Sequence, residues 1–271
     1  LKSNTICSVS VIIPFYNAGK TIDVALTSVF EQTLLPSEII IVDDCSNENN
    51  AFLLNNLIEK INRCLSTAIP IKLVTLDFNR GASYARNIAI TNAQCKYLAF
   101  LDSDDKWYKN KLKYQFEFME ENSLFMTGHG YIFDLNKSSF KEVPFSYSLV
   151  NRVQFIYTNP FFTPTVMVRR DSFKPFDCSF RRVDDYKCWI ENYTPDSVAI
   201  IHNKLAGGFK HPIGSGGLTG SLSKMHDSYI EVLKSLYGEK KISLRFFYLA
   251  RLVECVKYPL RIIRNKFKFL F

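Results

Sequence analysis

Four short apolar runs within the first 105 residues each break off on a polar cluster, and this repeat leaves few folds open. Residues 9–14 (V-S-V-I-I-P) and 38–42 (E-I-I-I-V) are rich in β-branched side chains, and 71–76 and 97–101 follow the same plan. Branched side chains fit a pleated surface, and unbroken apolar runs suit strands covered on both faces. The segments between them, 21–32, 50–63 and 82–92, carry helical spacing; Ile22, Ala25, Leu26, Val29 and Phe30 make one apolar face. Strand–helix alternation at these intervals predicts βαβ units, right-handed crossovers and a mainly parallel sheet.

The fourth run is the sharpest. Residues 97–105 read Y-L-A-F-L-D-S-D-D, an apolar strand stopping on three carboxylates. Such a group is costly unless positive charge sits within it. Mg²⁺ or Mn²⁺ bridging carboxylates to substrate phosphates would supply that charge. Taken alone, a solvated turn explains the segment equally well, because Asp and Ser favour turns. The other strand ends shift the balance. The first run leads into Pro14-Phe15-Tyr16-Asn17, the second into Asp43-Asp44-Cys45-Ser46, and the third into N-R-G-A-S-Y-A-R-N at 79–87. Four polar ends in series along the carboxyl edge of one sheet predict a polar ligand lying across it.

In this order and spacing, V-S-V-I-I-P-F-Y-N, I-I-V-D-D-C-S, N-R-G-A-S-Y-A-R-N and L-D-S-D-D-K-W resemble glycosyltransferase family 2, closely over residues 8–107 and more loosely over 163–192. The resemblance implies a GT-A fold: an α/β, Rossmann-like architecture with a mainly parallel central sheet and helices on both faces. It implies inverting, metal-dependent transfer of a sugar from a nucleotide donor, UDP foremost. Pro14 and Tyr16 would line the base, and Asp44 would accept the uracil N3–H. Asp102, with Ser103 beside it, would meet the ribose or donor sugar. Asp104, last in the D-x-D motif, would hold Mn²⁺ or Mg²⁺, with Asp105 in support. Arg86 would contact the diphosphate or brace the acids; a structural salt bridge is its plainer alternative.

The general base implied by the family is the second residue of an acidic pair opening a helix. F-R-R-V-D-D-Y-K-C-W-I at 180–190 fits, which assigns Asp185, about 80 residues beyond the D-x-D. Asp184 stands where relatives often carry Glu, and an N-terminal acid pair serving only the helix is the competing explanation. His211, just ahead of a Gly/Ser-rich stretch within 207–223, is the expected additional metal ligand, against a plain surface histidine. Residues 214–220 (G-S-G-G-L-T-G) have the wrong spacing for a dinucleotide fingerprint, and no Walker motif is present. No Q-x-x-R-W motif ends on Trp107 or Trp189, so one sugar per acceptor is expected.

Beyond 105 the pattern turns irregular and aromatic up to about 177, suiting core more than a sugar-stacking wall. The expected organisation is a GT-A domain over 1–223, divided into a nucleotide-binding half (1–105) and an acceptor-binding half (106–223), then a basic helical region over 224–271. Seven cysteines without a C-x-x-C pair suggest reduced thiols in the cytoplasm rather than disulfides or zinc. No signal peptide is legible, no apolar stretch of about 18 residues exists, and a start at Leu1 leaves open whether the native N-terminus is included.

The net charge of +8 is local: residues 240–271 hold nine Lys or Arg and one acid, and the remainder is neutral. That argues against nucleic acid as a partner. Leu249, Leu252, Val256, Leu260, Ile263, Phe267 and Leu270 recur at i+3/i+4, with Lys257, Arg261, Arg264 and Lys268 expected on the opposite face and Pro259 a possible kink. This predicts an amphipathic tail on an anionic membrane, peripheral at the inner face of a bacterial cytoplasmic membrane. Family and tail together suggest a lipid-linked oligosaccharide acceptor in O-antigen or capsule synthesis. The alternatives are a sugar-1-phosphate nucleotidyltransferase, whose Gly-rich loop is missing after the first strand, and an inactive membrane-surface scaffold.

Overall fold

The computed structural model describes residues 6–64, 69–209 and 221–267. Strand β1 (Ile6–Phe15) sets the layering by alternation: Val9, Val11, Ile13 and Phe15 enter one hydrophobic core, and Ile12 enters a second. Helix α1 (Ile22–Phe30) covers the first core with Ile22, Ala25, Leu26 and Val29, the face its spacing predicts. Strand β2 (Leu35–Asp43), helix α2 (Glu48–Cys64), strand β3 (Ile71–Thr75), helix α3 (Ala82–Asn92) and strand β4 (Tyr97–Phe100) complete the alternation. Helix α3 buries Ala85 and Ala89 in the second core, so helices lie on both faces of the sheet.

Strands β3, β2, β1 and β4 are neighbours in that order, and all are parallel. Their carboxyl ends therefore share one edge, as predicted. Beyond β4 the sheet becomes mixed. It continues through β5 (Asp105–Trp107), α4 (Lys111–Glu121), β6 (Met126–Ile132), β7 (Tyr147–Leu149), α5 (Gln154–Tyr157) and β8 (Met167–Arg169). Helix α6 (Asp184–Glu191), strand β9 (Val198–Gly208), α7 (Leu222–Gly238) and α8 (Leu244–Phe267) follow. Strand β8 runs antiparallel to β4 and β6, whereas β9 is parallel to β6 and pairs at its two ends with β7 and β5.

The predicted strand at 198–202 thus extends six residues further, to Gly208, because β5 offers it a partner at Ala206–Gly208. Gly208 lies so close to β5 that a Cβ there would sit 2.7 Å from Asp105 Oδ1. Asp105 itself is buried and accepts a hydrogen bond from the Tyr131 hydroxyl at 2.7 Å. The aromatic stretch is divided: Phe118, Phe155 and Phe161 are core, while Phe133, Phe145, Tyr157 and Phe162 stay exposed.

The tail differs from expectation in one respect. Helix α8 docks through Phe246, Phe247, Ala250 and the half-buried Val253, all packed on the second core. Of the predicted stripe, Leu249, Leu252, Val256, Leu260 and Ile263 are left exposed, and Leu270 lies outside the described residues. Lys257, Arg261 and Arg264 are not opposite that stripe. They lie about a quarter turn from it at 100° per residue and face into a cleft. Among the described residues no helix is long and apolar enough to cross a membrane.

Candidate active site

The common carboxyl edge of β1, β2, β3 and β4 opens into a cleft of about 1680 Å³. Its lining includes Pro14, Tyr16, Asp44, Arg86, Asp102, Ser103, Asp104 and Asp185, every predicted site residue except His211, which lies outside the described residues. The backbone takes unusual turns to deliver them. Asn17, Gly81 and Val183 line the cleft with positive φ (50°, 92° and 60°), and Cys45, next to the cleft residue Asp44, has φ 61°. A left-handed β-branched residue is costly, and Val183 directly precedes the Asp184–Asp185 pair at the start of α6.

The N-R-G-A-S-Y-A-R-N segment is the hub. Asp44 is buried at the end of β2, and its two carboxylate oxygens accept the backbone N–H groups of Arg80 and Gly81, each at 2.7 Å. At φ 92° Gly81 holds a conformation closed to most side chains. Asp44 therefore fastens the loop to the sheet as well as lining the cleft. One turn on, the Ser83 hydroxyl donates to Asp184. Arg86 binds Asp102 at 2.6 Å and lies 3.9 Å from Asp184 Oδ2. The Asn87 side chain pairs with both backbone groups of Phe176.

Arg86 is buried, which works against its charge, yet Asp102, Asp184 and Asp185 more than offset that and hold its pKa above the usual arginine range. Of the two roles considered for it, the geometry is that of a brace between the strand-end acids and the helix acids. Its Nε carries no hydrogen bond among the described residues.

Asp185 lines the cleft from the start of α6. Oδ1 accepts the Tyr186 N–H at 2.7 Å and Oδ2 accepts the Asn159 amide at 2.8 Å. Burial, reinforced by the neighbouring Asp184 charge, pushes its carboxyl up to about 7 despite those bonds and Arg86. A carboxyl raised to neutrality and facing a cleft is poised to take and release a proton. Asn159 and Ser83 are partners that motif reading missed. Asn159 stands in the irregular aromatic stretch, where only an Asn-Pro turn signal marks it.

Asp102 and Asp104 line the sheet edge of the cleft, where a divalent cation would be held. Among the described residues no group of three His, Cys, Asp or Glu side chains is arranged to hold a metal. Mg²⁺-type binding needs only one or two carboxylates and completes its shell with phosphates and water.

A parallel sheet with helices on both faces, a carboxylate motif at its edge and an acidic pair across the cleft define a GT-A architecture. The glycosyl transferase family 2 model matches residues 10–180, and the chain belongs to that family. A glycosyltransferase of Haemophilus influenzae is 32% identical over 202 residues, covering 74% of this chain and 78% of that protein. In Escherichia coli, UDP-Glc:alpha-D-GlcNAc-diphosphoundecaprenol beta-1,3-glucosyltransferase WfgD is 32% identical over 195 residues, covering 72% of this chain and 73% of that protein. Among solved structures, S. aureus TarS 1-349 superimposes with a TM-score of 0.63 at 21% identity, over 84% of this chain and 64% of that one. That likeness speaks for the fold alone.

Proposed function

We propose that the chain transfers a single sugar, with inversion, from a UDP-sugar to a hydroxyl of a lipid-linked oligosaccharide in surface polysaccharide synthesis, with Asp185 as general base. The observation that carries this is the division of one cleft between Asp102 and Asp104 at the sheet edge and a raised carboxyl, Asp185, on the facing helix. The donor and acceptor classes draw support from WfgD, whose name gives UDP-Glc and a diphosphoundecaprenol-linked sugar.

The sheet-edge half, from Pro14 and Tyr16 to Gly81, receives the nucleotide, and residues 106–223 receive the acceptor. The acceptor hydroxyl oxygen attacks the anomeric carbon from the face opposite the diphosphate, and the carbon–oxygen bond to the diphosphate breaks. Asp185 takes the hydroxyl proton as the new bond forms. Asn159 and the Tyr186 N–H hold the carboxylate so that one lone pair on each oxygen stays available. Arg86 keeps Asp102 in position while negative charge accumulates. Asp104 and Asp102, with His211 as a further candidate ligand, would hold Mn²⁺ or Mg²⁺, which would supply positive charge for the leaving diphosphate.

The exposed stripe on α8 supports peripheral attachment to the inner face of the cytoplasmic membrane, where such an acceptor resides. The test is UDP release from a panel of UDP-sugars with Mn²⁺ and a prenyl-diphosphate-linked sugar. Release should depend on acceptor and fall at least a hundredfold in Asp104→Ala and Asp185→Ala. No release from any donor, or release indifferent to both substitutions, would refute the assignment.

A further inference from the structure

Helix α8 holds a second cationic feature with no role so far. Lys257, Arg261 and Arg264, at i, i+4 and i+7, line the same cleft as Asp185. They stand on its acceptor side. Lys257 Nζ donates to the carbonyl of Tyr157, two residues before the Asn159 amide that holds Asp185. Arg261 is fixed in direction, because its Nη2 donates to both oxygens of Glu254. Glu254 is buried and is fixed in turn by His226 at 3.0 Å, whose ring stacks on Tyr258.

With Arg261 so held, its Nε is buried without a hydrogen-bond partner among the described residues. Buried orphan donors are uncommon, and this one marks a guanidinium whose pairing is not completed by Glu254 alone. Three cations stand against the single acid Glu254 on this part of the helix. Lys257 and Arg264 are exposed like Arg245 and Arg251, but unlike them they line the cleft. A cleft-facing cluster suits an anion that enters with the substrate. About a quarter turn away, the exposed Leu252, Val256 and Leu260 offer an apolar path leading outward.

From base, cations and apolar stripe in succession, we infer that Lys257, Arg261 and Arg264 form a subsite for the diphosphate of a prenyl-diphosphate-linked acceptor. The sugar points toward Asp185 and the hydrocarbon runs onto the stripe. This rests on the lipid-linked acceptor proposed above. No covalent step occurs at the subsite; it positions the acceptor.

The test uses the full chain and three probes: farnesyl diphosphate, UDP, and vesicles containing phosphatidylglycerol. Lys257 and Arg264 are exposed, so the double variant Lys257→Gln/Arg264→Gln should fold normally. Its Kd for farnesyl diphosphate should rise at least tenfold, with the Kd for UDP unchanged and vesicle pelleting altered less than threefold. Arg261→Lys, which retains charge but loses the fork, should raise the farnesyl diphosphate Kd severalfold. Equal weakening of UDP would assign the cations to the donor, and lost pelleting with unchanged farnesyl diphosphate affinity would assign them to lipid headgroups. Either result overturns the inference, as does a wild-type chain that does not bind farnesyl diphosphate. Binding is read without turnover, so failure of the catalytic assignment would be seen separately.

Discussion

Asp185→Asn should make the protein more stable while removing its activity, and the two effects share one cause. The wild-type carboxyl is raised from an ordinary 3.8 to about 7, chiefly by burial and then by Asp184. A raised carboxyl binds its proton more tightly in the folded than in the unfolded chain. Ionising it therefore costs the folded state nothing below about pH 4, progressively more between 4 and 7, and a constant amount above 7. At about 1.4 kcal/mol per tenfold the ceiling is roughly 4 kcal/mol, and partial exposure to the cleft lowers the expectation to about 2 kcal/mol. The amide variant escapes this cost, and its oxygen can still accept the Tyr186 N–H.

Urea unfolding of both proteins from pH 4 to 8.5 should show the variant gaining about 2 kcal/mol relative to wild type, with most of the rise between pH 5 and 7. Transfer activity should fall by about 10²–10⁴. In the wild type, kcat/KM should climb through an inflection near neutrality as the base deprotonates. A variant that is less stable at pH 8, or one that retains activity, would refute the reasoning. So would a wild-type profile that is flat from pH 5.5 to 8.

Three further outcomes follow from named contacts. Arg86→Met leaves Asp102, Asp184 and Asp185 facing one another without their shared cation, and should cost about 3–5 kcal/mol in urea unfolding at pH 7. Lys187 is 2% exposed and binds Asp177, Glu191 and Glu239 at 3.2, 3.0 and 2.8 Å; Lys187→Met should cost about 3 kcal/mol by the same measurement. Leu252, Val256 and Leu260 are 63%, 58% and 58% exposed. Changing all three to Gln should shift stability by less than about 0.5 kcal/mol per site yet weaken pelleting on anionic vesicles at least tenfold. Truncation at Gly238 is the poorer test of membrane contact, because it strips Phe246, Phe247 and Ala250 from the second core.

Asp102 and Asp104 were legible because local chemistry marks them. An apolar run ending on charges can only be a strand reaching a ligand edge or a turn, and parallel neighbours decide between those. Asp105 was not legible: its position in β5, pairing with Gly208 and bonding Tyr131, depends on a strand about 100 residues away. Arg86 could be read as contacting either phosphate or acids until α3 brought it to Asp102 and Asp184. Asn159 carried no motif at all, since its value lies only in the Asp185 it holds.

By itself the sequence determined the parallel half of the sheet, the cleft along its carboxyl edge and the acidic residues lining it. Periodicity and strand-end chemistry are local properties, carried by residues a few positions apart. Tertiary structure decided the mixed half of the sheet, the brace through Arg86 and the direction of the tail. The basic and apolar residues of α8 were plain in the sequence, but which of them face the cleft depends on the docking of Phe246, Phe247 and Ala250. Burial of that face fixes the rotation of the helix. With the rotation set, Lys257, Arg261 and Arg264 line the cleft that holds Asp185, and the leucine stripe remains exposed.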